Sequence, residues 1–299
     1  MKKIDLRSDT VTLPTEGMFN AISNADLGDD VFNEDPTINH LEELAAKTFD
    51  KDEALFVPSG TMANLVAILS HCQRGDEVIL GDQSHTFLYE AGGISAFGGI
   101  HSRQLSNQED GTIEIEDIKN AIRKDDVHFP PTRLICLENT HNRCFGMPLS
   151  VGYTNSVAEI AKNNSLDIHV DGARIFNAAV ASGVSVSELT EKVDSVSFCL
   201  SKGLSAPAGS LLCGTKEFIS RARRNRKALG GGMRQAGILA AAGIVALENM
   251  TGRIIEDHNN AKSLAEGISS IEGIIINPDM IKTNIIYFSL DHSNKAFKE

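Results

Sequence analysis

The chain contains no tryptophan, has three tyrosines among its 299 residues, and carries fewer basic than acidic side chains. Lysine and arginine total 28 against 40 aspartates and glutamates, which gives a formal net charge of −12. A chain with this charge repels nucleic-acid phosphates and anionic lipids, and it offers few aromatic rings for stacking on bases. The composition therefore disfavours nucleic acid and membranes as partners and favours a small-molecule ligand.

Cysteine is sparse as well. The five cysteines are odd in number, form no CxxC pair and mostly lie in apolar runs such as residues 134–137. This pattern predicts buried free thiols in a reducing compartment, with no disulfide and no metal site. The first residues turn polar too early for a signal peptide and no apolar run approaches membrane length, so we expect a cytoplasmic protein.

Short apolar runs alternate with helical stretches along most of the chain. We predict strands at 54–57, 77–80, 134–137, 168–170, 193–200 and 210–213. We predict helices near 61–70, 115–123, 156–163 and 218–229, after a first helix that Asp35 caps and Pro36 opens. Short runs that are apolar throughout are typical of strands covered on both faces. The sequence therefore predicts an α/β fold with a mostly parallel central sheet flanked by helices.

The pattern changes towards the C-terminus, where helices precede strands instead of alternating with them. In order, these are predicted helices over 235–249 and 253–269 and predicted strands over 273–276 and 284–288. The change predicts a large domain over 1–249 and a small C-terminal α+β domain over 250–299. Because two strands are few to cover the helices, we expect the small domain to be incomplete.

Asp171 and Lys202 each follow a predicted strand, in His-Val-Asp-Gly-Ala-Arg (169–174) and Ser-Lys-Gly (201–203). Such a pair suits pyridoxal phosphate (PLP), because a carboxylate would keep the pyridine nitrogen protonated while a lysine carries the aldehyde as a Schiff base. Each residue alone has a structural alternative: Asp171 could cap a helix or pair with Arg174, and Lys202 could be an exposed loop lysine. Together they indicate an enzyme that acts on amino acids.

A candidate phosphate site lies in Ser-Gly-Thr (59–61), which follows a predicted strand and opens a helix. Ser59 would cap the helix, and Gly60 would allow a ligand to approach. The free N–H groups of the first turn would face outward at the positive end of the helix dipole. The same residues could form an ordinary helix cap. The phosphate interpretation is strengthened by Lys202 downstream.

Taken in order, these motifs resemble those of a threonine aldolase, a fold-type-I PLP-dependent enzyme of the β-eliminating lyase group. The resemblance extends over nearly the whole chain, and the ordered set is more specific than any one motif. The matching segments are DLRSDTVT (5–12), GDDVF (28–32), SGTMAN (59–64), ENTH (138–141), HVDGAR (169–174), SKGL (201–204) and LGGGMRQ (229–235).

The resemblance implies how the cofactor is held. Lys202 would form the Schiff base with PLP, Asp171 would contact the ring nitrogen, and Gly60 with Thr61 would bind the phosphate. Arg234 would reach the phosphate across a subunit interface, in a homodimer or homotetramer whose active sites lie at that interface.

The resemblance also implies how the substrate is held. Arg174 would lie near the ring oxygen of PLP and the substrate carboxylate, which Ser8 would also help to bind. His85 would stack on the ring and, together with His141, contact the substrate hydroxyl. Either histidine, directly or through a water, is a candidate base for retro-aldol cleavage of L-threonine or L-allo-threonine to glycine and acetaldehyde.

The chain departs from the family pattern in two places. Phe32 stands where tyrosine often follows Gly-Asp-Asp-Val, and no match is found for a C-terminal arginine that clamps the substrate carboxylate. Loss of a bidentate arginine is expected to weaken substrate binding. Three alternatives therefore stay open: another PLP-dependent β-lyase or aminotransferase, a Schiff-base aldolase without PLP, and a weakly active or non-catalytic oligomer.

Overall fold

The structure, a computed structural model, describes residues 4–291. Seven strands form the central sheet: β1 (Glu53–Val57), β2 (Glu77–Gly81), β3 (His101–Leu105), β4 (Thr132–Glu138), β5 (Asp167–Asp171), β6 (Ser195–Cys199) and β7 (Ser210–Gly214). Their spatial order is β1-β7-β6-β5-β4-β2-β3. Only β7 runs antiparallel to its neighbours, and the other pairs of this sheet are parallel. The predicted α/β fold with a mostly parallel sheet is confirmed.

Twelve α-helices are found in the part of the chain that the structure describes. They are α1 (Glu16–Ser23), α2 (Pro36–Phe49), α3 (Gly60–His71), α4 (His85–Leu88), α5 (Gly93–Ala96), α6 (Ile115–Ala121), α7 (Val151–Asn163), α8 (Ile175–Ser182), α9 (Val186–Leu189), α10 (Lys216–Ala228), α11 (Gly237–Val245) and α12 (Ile254–Ser269). Asp35 caps α2 by accepting hydrogen bonds from the N–H groups of Thr37 and Ile38, and Pro36 occupies its first turn, as predicted.

Helices cover both faces of the sheet because successive strand residues point to opposite sides. Phe56 of β1 belongs to the large core that includes residues of α2, α7, α8 and α11. Its neighbours Leu55 and Val57 pack instead with α3 and α10. All five cysteines are buried and free, as their apolar surroundings predicted.

Every predicted strand of the large domain overlaps an observed one, but β3 was missed. Its sequence, His-Ser-Arg-Gln-Leu, lies at the sheet edge, where the side chains of His101 and Gln104 are exposed. A strand at the sheet edge is partly exposed to solvent and can consist largely of polar residues. The sequence of β3 therefore lacks the apolar run by which the other strands were predicted.

The C-terminal strands differ from the prediction. A two-stranded antiparallel sheet pairs β8 (Ile274–Ile275) with β9 (Ser289–Leu290), and residues 284–288 are not a strand. Ile286 packs instead on a small core of Ala261, Ala265 and Ile281, so its apolar character reflects packing against α12. The division of the chain near residue 250 stays a prediction, and residues 292–299 of the proposed small domain lie outside the described residues.

The two helices predicted over 235–249 and 253–269 form one helical stretch, Gly237–Ser269, because a π segment and a 3-10 turn join α11 to α12. Contrary to expectation, this stretch is long and apolar enough to cross a membrane by length and composition. Ala240 and Ala242 are nevertheless fully buried, and α11 packs against α1 and α2. The buried alanines of α11 therefore line the protein core, as those of a core helix do.

The parallel strands bring several loops to one edge of the sheet. Strands β1, β2, β4, β5 and β6 point the same way, so the loops that follow them open at the same edge. In open α/β sheets, ligands bind at the carboxyl ends of the strands. This edge carries Gly60, His85, His141, Asp171 and Lys202 on its loops and strand ends.

Candidate active site

Asp171 is the last residue of β5 and is held by two hydrogen bonds. Its side chain is buried; Oδ2 accepts from Asn64 Nδ2 at 2.7 Å and Oδ1 accepts from the Ala173 N–H at 3.1 Å. The Cβ that an alanine would add at Gly172 would lie 2.6 Å from the Ser197 carbonyl, so the next loop passes close to β6. The carboxylate is therefore fixed in direction at the sheet edge.

Glu90 and His85 complete an acidic cluster around Asp171. Glu90 Oε1 accepts from Asn64 Nδ2 at 2.8 Å and lies 2.9 Å from His85 Nδ1. One ring nitrogen of His85 and one carboxylate oxygen each of Glu90 and Asp171 all lie within 4.8 Å of one another. The same atoms are close enough to share a metal ion, but Asn64 already donates to two of the three groups. The prediction of no metal stays a prediction.

The charges of this cluster are tuned by burial and hydrogen bonding. The hydrogen bond from His85 to Glu90 raises the pKa of His85, against the opposing effect of burial. Burial raises the pKa of the Glu90 carboxyl, whose Oε2 is buried without a hydrogen-bond partner among the described residues. Both shifts make the surroundings of Asp171 less negative, which leaves the Asp171 carboxyl as the group suited to a protonated ring nitrogen of a ligand.

Lys202 follows β6, the strand next to β5, and its side chain is half-buried. Its carbonyl accepts hydrogen bonds from Thr12 Oγ1 at 2.8 Å and from the Ser205 N–H at 2.9 Å, which fix the backbone at this position. The tight loop that follows contains Ser205 with φ +63° and Gly209 with φ +101°. Lys202 and Asp171 therefore leave neighbouring strands at the same edge of the sheet.

Arg174 is paired with a residue that has no assigned role in the sequence analysis. Its Nε and Nη2 donate to the two oxygens of Asp9 at 2.7 Å each, and Nη1 donates to Asn142 at 3.0 Å. An arginine has five N–H donors, so these three bonds leave two donors for a carboxylate. Burial alone would raise the pKa of Asp9, but Arg174 outweighs it and the pKa lies below the ordinary value.

Ser8 lies next to Asp9 and caps a short 3-10 turn, with its Oγ accepting from the Thr10 N–H at 3.2 Å. Ser8 is thus the chain neighbour of the residue that pairs with Arg174, and its contact with a substrate carboxylate stays a prediction. Asn284 Nδ2 also donates to Asp9, at 3.1 Å. This residue links the C-terminal segment to the site.

His141 is buried, with 1% of its surface exposed, and both ring nitrogens lack a hydrogen-bond partner among the described residues. Its neighbour Glu138 accepts from the His85 N–H at 2.6 Å and the Asn142 N–H at 2.8 Å, and lies 4.0 Å from His141 Nε2. An unpaired buried polar group costs about 1–3 kcal/mol. A ligand that supplies the missing partner would recover that cost.

The first turn of α3 has the geometry predicted for an anion site. Ser59 accepts from the N–H of Met62 at 3.2 Å and of Ala63 at 3.0 Å. The N–H groups of Gly60 and Thr61 precede the first helical hydrogen bonds, and the Ser59 and Thr61 side chains are exposed. A Cβ at Gly60 would lie 2.8 Å from Cys199 Sγ, so the backbone lies close against β6.

Arg234 is not in contact with this anion site in the chain. Its side chain is exposed and donates to Asp29 at 2.9 Å, and its carbonyl accepts from the Asp30 N–H at 3.0 Å. Arg234 thus binds the loop that contains Phe32, whose side chain is 69% exposed. A contact of Arg234 with a phosphate across a subunit interface stays a prediction.

Sequence reasoning left Asn64, Glu90 and Asp9 without a role. Asn64 and Asp9 stand inside recognisable motifs. For Asn64 the sequence also gave a signal, because it follows Gly60 by four residues and therefore lies one helical turn further along the same face of α3. Glu90 stands outside every motif. These residues act through contacts between distant segments, such as that of Asn64 with Asp171, 107 positions away.

Relatives of known sequence resemble this chain over most of their length. The chain is 51% identical over 298 residues to a probable low-specificity L-threonine aldolase of Arabidopsis thaliana, covering 99% of this chain and 84% of the relative. It is 47% identical to a low-specificity L-threonine aldolase of Escherichia coli K12, covering 98% and 86%. It is also 36% identical to an alanine racemase of Cochliobolus carbonum, covering 97% and 76%.

Solved structures and a family model agree with these relatives. The crystal structure of a putative L-allo-threonine aldolase from Listeria monocytogenes matches with a TM-score of 0.79 at 25% identity, covering 91% of this chain and 76% of that one. A Leishmania major threonine aldolase matches with a TM-score of 0.78 at 18% identity, covering 90% and 80%, which supports the fold alone. The family model of the β-eliminating lyases matches residues 5–291. The chain belongs to the β-eliminating lyase family and, by these relatives, to its threonine aldolase branch.

Proposed function

We propose that this protein is a PLP-dependent aldolase that cleaves L-threonine or L-allo-threonine to glycine and acetaldehyde. The observation that carries the proposal is the arrangement of Asp171, Lys202 and the first turn of α3 at one edge of the sheet. The low-specificity threonine aldolases at 47% and 51% identity support the choice of substrate.

The residues present fit PLP. Asp171, oriented by Asn64, would accept a hydrogen bond from the protonated pyridine nitrogen, and His85 lies beside it to cover the ring. The N–H groups of Gly60 and Thr61 would bind the phosphate at the positive end of a 12-residue helix. Lys202 would bond the aldehyde carbon. When bound, the cofactor supplies a conjugated ring that withdraws electrons from the substrate Cα.

Arg174 and Ser8 would hold the substrate carboxylate. The two remaining N–H donors of Arg174 suit a bidentate bond, and Asp9 fixes the guanidinium plane. By holding the carboxylate, these residues would set the rotation about the substrate Cα–N bond and so orient the Cα–Cβ bond for cleavage.

His141 is our choice for the base that accepts the substrate hydroxyl proton. Its nitrogens have no partner among the described residues, whereas His85 Nδ1 is engaged by Glu90. The imidazole would take the hydroxyl proton as the Cα–Cβ bond breaks and acetaldehyde leaves, and the electron pair left on Cα would be held by the bound cofactor. Lys202 Nζ is our candidate donor of the proton that Cα then receives. Glycine is the second product.

We further propose a cytoplasmic homodimer or homotetramer with active sites at the interface. The buried free cysteines are consistent with a reducing compartment. Exposed apolar side chains near the N-terminus, including Leu13 and Phe19, offer surface for contact with a second subunit. In such an assembly Arg234 of one protomer would bind the phosphate of its neighbour, and residues 250–299 would form the small domain.

Racemisation of alanine is a second candidate, because one relative at 36% identity is an alanine racemase. Racemisation would need the same PLP-binding residues and proton exchange at Cα, but no base for a substrate hydroxyl. Release of aldehyde distinguishes the two reactions.

The test is to incubate the purified protein with PLP and L-allo-threonine and to measure acetaldehyde by coupled NADH oxidation and glycine by chromatography. We expect equal amounts of both products, and no product from Lys202→Ala. Lys216→Ala, an exposed lysine in the first turn of α10, is the control and should retain activity. Ammonia with a keto acid, or D-alanine from L-alanine without aldehyde release, would contradict the proposal.

A further inference from the structure

A stripe of polar side chains extends from Asp171 to the protein surface. Asp167, His169 and Asp171 alternate along β5, so they share one face of the sheet. Helix α3 packs on that face and presents Asn64 and His71, which are two helical turns apart. Apart from Asp171 and Asn64, which orients it, none of these residues has a role in the proposed chemistry.

Hydrogen bonds connect these residues without a gap. In order they are Asp171 Oδ2 to Asn64 Nδ2 at 2.7 Å, Asn64 Oδ1 to His169 Nε2 at 3.3 Å, His169 Nδ1 to Ser195 Oγ at 2.8 Å, Ser195 Oγ to His71 Nε2 at 2.7 Å, and His71 Nδ1 to Asp167 Oδ2 at 2.7 Å. We call this series the β5 chain. It begins at the buried Asp171 and ends at Asp167, whose side chain is 47% exposed.

The direction of each hydrogen bond follows from Asn64. Its Nδ2 faces carboxylate oxygens of Asp171 and Glu90 and must donate, so its Oδ1 accepts from Ser197 and His169. Burial lowers the pKa of His169 to about 3, so its ring is neutral at physiological pH. The single ring proton of His169 is therefore on Nε2, and Nδ1 is an acceptor.

At the exposed end of the β5 chain, the hydrogen-bond directions indicate where the protons of Ser195 and His71 lie. Because His169 Nδ1 accepts, the hydroxyl of Ser195 donates to it, and Ser195 Oγ accepts from His71 Nε2–H. The Asp167 carboxylate accepts from His71 Nδ1–H. With these directions both nitrogens of His71 would donate, which is the hydrogen-bond pattern of an imidazolium ring paired with Asp167.

The surroundings of His71 are consistent with a positive ring. It stacks on Phe218 with ring centroids 4.4 Å apart, which favours a cation over the aromatic face. Asp194 adds a second negative charge nearby, and Arg221, from α10, a positive one. Asp76 and Arg133 line the surface pocket of about 330 Å³ into which Asp167 and His71 open.

We propose that His71, Ser195 and His169 are positioning residues: the imidazolium form of His71 sets the direction of the β5 chain, which orients Asn64 and holds Asp171 as a fixed carboxylate for the ring nitrogen of PLP. This inference rests on the proposed function. If His71 carried one proton, it would donate to Asp167, Ser195 would turn to His71, and the His169 proton would move to Nδ1. The lone pair of His169 Nε2 would then face Asn64 Oδ1, and the amide would lose one of the four hydrogen bonds that orient it.

Asp167→Asn tests the proposal at the exposed end of the β5 chain. The two aspartates are four strand residues apart, about 13 Å, so a direct effect on PLP is small. We expect the substitution to move the His169 proton from Nε2 to Nδ1, seen in the ¹⁵N spectrum of labelled histidine. We also expect about tenfold weaker binding of PLP to the protein stripped of cofactor. Asp167→Glu should retain both properties.

Asp126→Asn is the matched control, because Asp126 also pairs with a histidine, His128, through a 2.6 Å contact that leads to no buried chain. It should change neither the His169 tautomer nor the affinity for PLP.

Unchanged PLP affinity and an unchanged His169 tautomer in Asp167→Asn would overturn the inference. If that variant does not fold, an Nδ1–H tautomer of His169 in the wild-type protein would overturn it, and an Nε2–H tautomer with a doubly protonated His71 would support it. Failure of the wild-type protein to bind PLP would instead overturn the proposed function.

Discussion

Removal of the Asp9 carboxylate should destabilise the protein and misplace the substrate. The side chains of Arg174 and Asp9 are 9% and 8% exposed and share two hydrogen bonds of 2.7 Å. Asp9→Ala leaves the guanidinium charge buried without its carboxylate, which costs about 3–5 kcal/mol. For a chain of this length, at roughly 2 °C per kcal/mol, the melting temperature should fall by about 6–10 °C.

Thermal unfolding followed by circular dichroism measures this fall, and steady-state kinetics should show a raised KM for L-allo-threonine. Glu159→Ala is the control, because Glu159 forms an exposed pair with Lys192 at 3.4 Å and should change stability by less than about 1 kcal/mol. If Asp9→Ala melted within 1 °C of the wild-type protein, as roughly expected of a surface pair, the assigned role of the Asp9–Arg174 pair would be wrong.

The same pair predicts a pH dependence of stability. Because Arg174 holds the pKa of Asp9 below its ordinary value, the unfolded chain binds this proton first as the pH falls. The stabilisation is therefore fully present above the unfolded value of about 3.9 and is lost as the pH falls through the lowered pKa of the folded state. Urea titrations should show a weaker acid dependence for Asp9→Asn than for the wild-type protein.

Three further predictions concern the candidate site. Gly60→Ala adds a Cβ 2.8 Å from Cys199 Sγ and should weaken PLP binding at least about tenfold, whereas Gly252→Ala, with nothing within 4 Å, should not. His141→Ala should lower kcat by about 100-fold or more while the absorbance of bound PLP stays unchanged; equal loss of both would indicate a structural role. Glu90→Gln should move the pKa of His85, raised by Glu90, back towards its ordinary value in an NMR titration, and an unmoved pKa would contradict the hydrogen bond.

The fold was predictable where burial leaves a mark on the sequence. Strands such as β2 and β4 are covered on both faces and contain apolar runs, so their positions were correctly predicted. The polar edge strand β3 left no such mark. Residues 284–288 were wrongly predicted as a strand. Ile286 in this segment packs near α12 and belongs to no strand, so its apolar side chain was misleading.

The candidate site was predictable where chemistry and local structure coincide. Asp171 and Lys202 stand at strand ends with glycines beside them, which the sequence alone shows. The residues that orient Asp171 and Arg174 could not be found in this way. Asn64, Glu90 and Asp9 meet their partners only after distant segments pack together, and the β5 chain depends on the alternation of one strand against one helix face.

The central claim is that a lysine at this sheet edge carries PLP. The most direct measurement is reduction of the PLP-loaded protein with borohydride, followed by proteolysis and mass spectrometry of the modified peptide. We predict one phosphopyridoxyl group per chain, on Lys202. A label on another lysine, or no label after loading with PLP, would contradict the account.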